Sequence, residues 1–217
     1  MGDPAILIGL AAALGGAWGL VSDRLGARWP IHDDGSIRPM DWRTWAVVLF
    51  GAVSVGLLVR SYGETPTDLL VLAIYLVPLI LLFATDLDQR LLPDVITFPL
   101  VAYAALVGFL GLNPLVEGGW PGMLGPLAAA IVIPLVMYLP SIPFGPGALG
   151  LGDVKLLVSV GLMLGFVREL SGLMGGAILV VVVLGVLLAT RRITRRSYIP
   201  FGPFLIVAAV WGMLLPA

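Results

Sequence analysis

The stretch Leu69-Leu70-Val71-Leu72-Ala73-Ile74-Tyr75-Leu76-Val77-Pro78-Leu79-Ile80-Leu81-Leu82-Phe83-Ala84-Thr85-Asp86 decides the fold. It carries no charge until Asp86. With the residues just before it, it forms an apolar run over 67–85, close to the roughly 20 residues that a helix needs to cross the bilayer core. Similar runs occupy approximately 5–22, 44–60, 95–112, 123–141, 154–167, 171–190 and 199–216. The chain has 217 residues, of which 59% are hydrophobic and 12% charged. Soluble domains carry roughly 25% charged residues, and this composition cannot supply their polar surface. The expectation is an all-α, polytopic membrane helix bundle of about eight transmembrane helices. It forms one domain over 1–217 with a short cytoplasmic loop at 23–43. The run 154–167 is short for a full span and is expected to start below the membrane surface or to be tilted with shielded ends.

Composition also narrows the chemistry. The chain has no cysteine and one histidine, His32. Disulfides, thiolate catalysis and cysteine-held metal centres are excluded, and a single histidine cannot build a metal cluster. No metal and no cofactor is expected. The net charge of -1 does not favour nucleic acid as a partner. The N-terminal Met-Gly-Asp-Pro lacks the positive charge of a secretory signal, so the first run reads as a retained helix.

Basic residues orient the bundle. Arg24, Arg28, Arg38 and Arg43 lie in the first loop, Arg90 in the third and Lys155 after the fifth run. Arg191, Arg192, Arg195 and Arg196 lie in the seventh loop. Only Arg60 and Arg168 lie on the other side. The positive-inside rule then places the odd-numbered loops in the cytoplasm and both termini outside. The first loop balances four Asp against four Arg and reads as a short interfacial elbow. Gly15 and Gly19, Gly161 and Gly165, and Gly172 and Gly176 are pairs on one helix face, which in lipid signals close helix packing.

The carboxylates sort by side. Asp3, Glu64, Asp68, Glu117 and Glu169 fall outside, and Asp23, Asp33, Asp34 and Asp41 fall in the first loop. Asp86, Asp88, Asp94 and Asp153 flank apolar spans at the cytoplasmic face, where a carboxylate is costly and marks function. In Asp86-Leu87-Asp88-Gln89-Arg90-Leu91-Leu92-Pro93-Asp94, Asp86 ends its span directly. Asp88 reads as solvated, or as a contact for a basic substrate. Asp94 reads as the cap of the next helix.

The second cluster is Gly150-Leu151-Gly152-Asp153-Val154-Lys155-Leu156-Leu157, preceded by Pro140, Pro143, Gly145, Pro146 and Gly147. That approach cannot be a regular helix. Gly150 and Gly152 leave room for another backbone, such as an extended peptide. Asp153 alone could simply cap the sixth helix. Paired with Asp86 it could form a carboxylate dyad sharing one proton. One member would act as base on a water while the other protonates a carbonyl oxygen.

The two segments resemble the active-site motifs of bacterial type IV prepilin peptidases, the second being their GxGD motif. Tyr198-Ile199-Pro200-Phe201-Gly202-Pro203-Phe204-Leu205 resembles their final-helix signature. The resemblance covers roughly 80–217. It implies a membrane aspartyl protease of the inner, cytoplasmic membrane with Asp86 and Asp153 as the catalytic pair. Gly150, Gly152, Asp88, Asp94 and Lys155 would support the motifs. The implied partners are the lipid bilayer and a prepilin or pseudopilin, whose short basic leader is cut off after a glycine at the cytoplasmic face. Longer family members carry an N-terminal cysteine-rich zinc domain and often methylate the new N-terminus. The first loop here is short and cysteine-free, so methyl transfer is not expected. The alternatives are a presenilin-like intramembrane protease using the same aspartates and a small proton- or cation-coupled transporter. The charges around the two motifs predict a preference for a basic leader before the cut and a long apolar helix after it.

Overall fold

The computed structural model describes residues 3–31, 35–144, 149–189 and 201–215. Helices are the only regular elements among them: α1 (Pro4–Gly26), α2 (Trp42–Tyr62), α3 (Pro66–Gln89), α4 (Asp94–Phe109), α5 (Gly119–Tyr138), α6 (Leu151–Ala189) and α7 (Gly202–Leu214). The Pro-rich stretch after α5 is a 3-10 turn over Leu139–Phe144. His32, Asp33, Asp34, Gly145, Pro146, Gly147, Tyr198, Ile199, Pro200 and the arginines at 191, 192, 195 and 196 lie outside the described residues.

Local chemistry sets the helix starts. The Asp3 carboxylate accepts from the Ala5 amide at 2.9 Å, with Pro4 in the first turn of α1. Asp41 and Thr44 form a reciprocal capping box on α2, which satisfies amides that have no partner inside the helix. Five helical stretches are long and apolar enough to cross a membrane: Pro4–Gly26, Trp42–Tyr62, Pro66–Gln89, Gly119–Ile142 and Leu151–Val183. α4 and α7 have 16 and 13 residues, about 24 and 20 Å of helix. Large outward side chains on the other helices are apolar, as at Leu14 of α1, Trp45 of α2, Ile131 of α5 and Val181 of α6, which are 65–72% exposed. A soluble surface does not sustain such a continuous apolar belt.

Eight apolar runs thus become seven elements, because 154–167 and 171–190 fall in one helical element of 39 residues. That element is broken at Gly165, whose φ of 71° and ψ of 174° are not helical. A straight helix would separate residues 161 and 169 by about 12 Å along its axis. Instead, a Cβ on Gly161 would lie 2.8 Å from Glu169 Oε2, so the chain folds back at Gly165. The positive φ is one that only glycine adopts without strain. Gly165 is therefore the break in α6 rather than the helix-packing residue its spacing suggests. The other small residues do pack closely: Gly15 against Gly51, Gly19 against Val47, and Gly172 and Gly176 against Ala208 of α7.

α3 is the centre of the bundle and touches α1, α2, α4 and α7, while α6 packs on α4, α5 and α7. Leu72, Tyr75, Leu79, Ile80 and Leu82 of α3 are fully buried with Leu156, Met163 and Ile206. Tyr75 and Ser159 share a buried hydrogen bond of 2.9 Å. That bond satisfies two polar groups that would be costly to leave unpaired in the core.

Candidate active site

The last turn of α3 carries Asp86, which is 4% exposed. The helix ends at Gln89, and Arg90 takes a left-handed conformation (φ 57°) while its amide bonds to the Asp86 carbonyl at 2.9 Å. The chain then turns through Leu91-Leu92-Pro93 into α4. Leu92 is buried under the start of α6, where a Cβ on Gly152 would lie 3.0 Å from Leu92 Cβ. Lys155 Nζ donates to Asp94 Oδ1 at 2.6 Å across the same seam. The two motifs are therefore joined by one close backbone approach and one ion pair.

Asp153 stands in the first turn of α6, and its Oδ2 accepts from the Gly150 amide at 3.1 Å. This is the reciprocal half of a capping box and fixes the carboxyl group. Asp153 does cap its helix. It also lies close enough to Asp86 for the two carboxyl groups to interact electrostatically. Capping and dyad formation are thus compatible.

Gly202, the first residue of α7, closes the site from a third direction. Its amide faces the Asp86 carboxylate, and a Cβ there would lie 2.7 Å from Asp86 Oδ2. Any side chain would displace either the carboxyl group or α7. Asp86 Oδ2 is buried without a hydrogen-bond partner among the described residues. Such an oxygen marks a place where a ligand or water completes the arrangement. The motif Phe201-Gly202-Pro203 signals this glycine in the sequence, but its spacing assigns it no role.

Asp88 and Asp94 depart from the roles read from sequence. The Asp88 side chain is 2% exposed, forms an ion pair with Arg38 at 2.7 Å and accepts a hydrogen bond from Arg43 Nη1 at 3.0 Å. Its carboxylate is held in ion pairs rather than solvated. Asp94 is the first residue of α4, with Pro93 in the cap position and no side-chain cap bond. Its carboxylate favours the helix start through the dipole and is held by Lys155. The weakly negative surface expected to attract a basic leader is therefore largely neutralised by Arg38, Arg43 and Lys155.

The first loop is more than an elbow. Asp23, 1% exposed, is paired with Arg24 and Arg38 and accepts from Thr44 Oγ1 at 2.9 Å. Arg38 also reaches Asp41 at 2.6 Å. Burial works against the Arg38 charge. The bond to Asp23 and the fields of Asp23, Asp88 and Asp41 outweigh it and hold the guanidinium above its ordinary pKa. Gln89 Nε2 donates to the Gly26 and Pro30 carbonyls at 3.0 and 2.7 Å. The loop thus clamps the end of α3 two and three residues past Asp86. Beside this clamp lies a cavity of about 320 Å³ lined by Trp42, Arg43, Leu87, Asp88, Gln89 and Arg90.

Glu169 is the other surprise. Read from sequence as an outer-side carboxylate, it is 1% exposed, and neither oxygen has a hydrogen-bond partner among the described residues. Its neighbour Arg168 instead caps the end of α7 through the Gly212 and Leu215 carbonyls.

Residues 73–190 match the sequence model of the type IV leader peptidase family. The matched stretch contains Asp86 and Asp153 and stops before Gly202. The prepilin leader peptidase/N-methyltransferase of Aeromonas salmonicida (strain A449) is 32% identical over 145 residues, covering 62% of this chain and 46% of that protein. The protein of the same name from Stutzerimonas stutzeri is 34% identical over 133 residues, covering 60% and 44%. Its counterpart from Pseudomonas aeruginosa is 31% identical over 133 residues, covering 58% and 44%. The match spans less than half the length of these relatives. No solved structure matches the chain.

Proposed function

Because this chain belongs to the type IV leader peptidase family, we propose that it is a membrane aspartyl endopeptidase that removes the short basic leader from prepilins or pseudopilins. The observation that carries this reading is that Asp86, packed beneath Gly202, lies within electrostatic reach of Asp153. Two carboxyl groups from separate motifs interact there, and one has a buried oxygen with no partner among the described residues.

The dyad holds one proton between two oxygens. The ionised member takes a proton from a water, whose oxygen attacks the carbonyl carbon of the scissile bond. The protonated member gives its proton to the carbonyl oxygen. The tetrahedral intermediate then collapses. The C–N bond breaks, and the new amine leaves with a proton returned from the dyad. Gly152 lets the start of α6 pack on Leu92 of the first motif, and Gly202 lets α7 pack on Asp86, so both carboxyl groups are held by close backbone approaches.

The distribution of basic residues supports a dyad at the cytoplasmic side of a bacterial inner membrane. The proposal covers leader cleavage alone and does not assign to this chain the N-methyltransferase named in its relatives, because its first loop is cysteine-free. The test is coexpression with a prepilin. A shortened product with the wild-type chain and none with Asp86→Asn supports the proposal. Full-length prepilin in both cases overturns it.

A further inference from the structure

Between α5, the second half of α6 (166–189) and α7 lies a groove of about 510 Å³. Among the described residues, every one lining it is apolar. Along α6 it runs from Phe166 to Val181, about 22 Å at 1.5 Å per residue. That length approaches the roughly 30 Å thickness of the bilayer core and suits a helix better than a small molecule. Gly176 and Ala208 are spent on packing α6 against α7, and the exposed Ala177 keeps a long side chain off the open wall, which lets a helix approach closely. Val136, Met174 and Val181 are 62–70% exposed along it, so it opens sideways into lipid.

The groove ends beside Gly202, the residue that packs on Asp86. Phe201 and Phe204 line it at the start of α7, and Gly202 between them rests on Asp86. α7 runs antiparallel to the second half of α6, since Arg168 meets the end of α7 while Gly176 meets Phe204. The Phe201 end of the groove is therefore the end at which Asp86 sits.

We propose that this groove receives the apolar transmembrane helix of the substrate, so that the segment just before that helix emerges at Asp86 and Asp153. The proposal rests on the leader-peptidase reading. It adds that the helix is held by protein rather than by lipid alone. The groove's apolar wall would bind the helix without sequence specificity, while its continuity with Gly202 sets the register of the cut.

Photocrosslinking tests this. A benzoyl-phenylalanine replaces Leu173 or Val136 in the groove, or Leu14 on the outward face of α1 as a control. The background is Asp86→Asn, reconstituted in phosphatidylethanolamine–phosphatidylglycerol vesicles. The probe is a synthetic peptide with a basic leader and an apolar helix of roughly 20 residues. Crosslinks from positions 173 and 136 but not 14, competed by unlabelled peptide and not by leader alone, are expected. In the otherwise wild-type chain, Ala177→Trp should raise KM about tenfold with kcat little changed, the signature of lost uniform binding. Equal crosslinking from all three positions, or crosslinks to lipid alone, overturns the proposal. Cleavage by the wild-type chain without groove crosslinks leaves the peptidase reading standing and removes the groove. Groove crosslinks without cleavage do the reverse.

Discussion

Gly202 rests on the carboxyl group of Asp86, so close that a Cβ would come within 2.7 Å of Oδ2 and 2.8 Å of Cγ. Gly202→Ala should therefore lower cleavage by about 100-fold, the order of loss that follows a displacement of about 1 Å at a catalytic group. Gly9→Ala, where nothing lies within 4 Å, is the control and should cleave normally. Normal cleavage by Gly202→Ala would remove Gly202 from the site.

Asp86→Asn and Asp153→Asn should each abolish cleavage while the protein still inserts and purifies as wild type. Asparagine keeps the shape of the side chain but can neither take a proton from water nor share one. The readout is prepilin shortening, with thermal unfolding in detergent as the folding control. Wild-type rates in either variant would show that the dyad is not the catalyst.

The two ion-pair groups of the first motif, one around Asp88 and one around Asp94, should respond differently to the loss of a partner. Arg38→Gln leaves Asp23 and Asp88 short of a buried partner, and breaking such pairs costs on the order of 3 kcal/mol. The unfolding midpoint should fall clearly, and activity should fall with it, because the clamp holds the end of α3. Asp94→Asn removes an ion pair whose carboxylate side chain is 57% exposed. Exposed pairs contribute at most about 1 kcal/mol, so stability and cleavage should stay near wild type. The reverse ranking would contradict the burial of the Asp88 network.

Glu169 is a buried carboxyl whose oxygens have no partner among the described residues, and such groups cost about 1–3 kcal/mol. Glu169→Met fills similar space without that cost and should raise the unfolding midpoint. Gly161→Ala should lower it, because its Cβ would meet the Ala130 amide nitrogen at 2.6 Å. Loss of folding in Glu169→Met would mean that Glu169 has a polar partner essential to the bundle.

Cysteine scanning checks the orientation. A cysteine at Ser36 should be shielded from an impermeant reagent added outside, and one at Glu117 should react. Inverted labelling would put Asp86 and Asp153 on the outer side and defeat the leader-cutting proposal.

The sequence by itself determined the solvent, the class of fold and the two aspartates worth testing. Apolar runs such as 67–85 report burial in lipid through composition alone, and Asp86 and Asp153 stand out because carboxylates at span ends are costly. What it could not determine were relations between residues distant in the chain. Nothing near Asp88 announces that Arg38 and Arg43 will neutralise it, because the side-chain partner is chosen by how α2 and α3 pack. Glu169 reads as a loop carboxylate until α6 folds back at Gly165 and buries it. Gly202 looks like an ordinary helix-start glycine until α7 lands on Asp86. Periodicity and composition are local quantities, whereas contact, desolvation and charge pairing arise only once the helices are assembled. The candidate dyad could therefore be nominated from sequence, but only the tertiary structure decided what surrounds it.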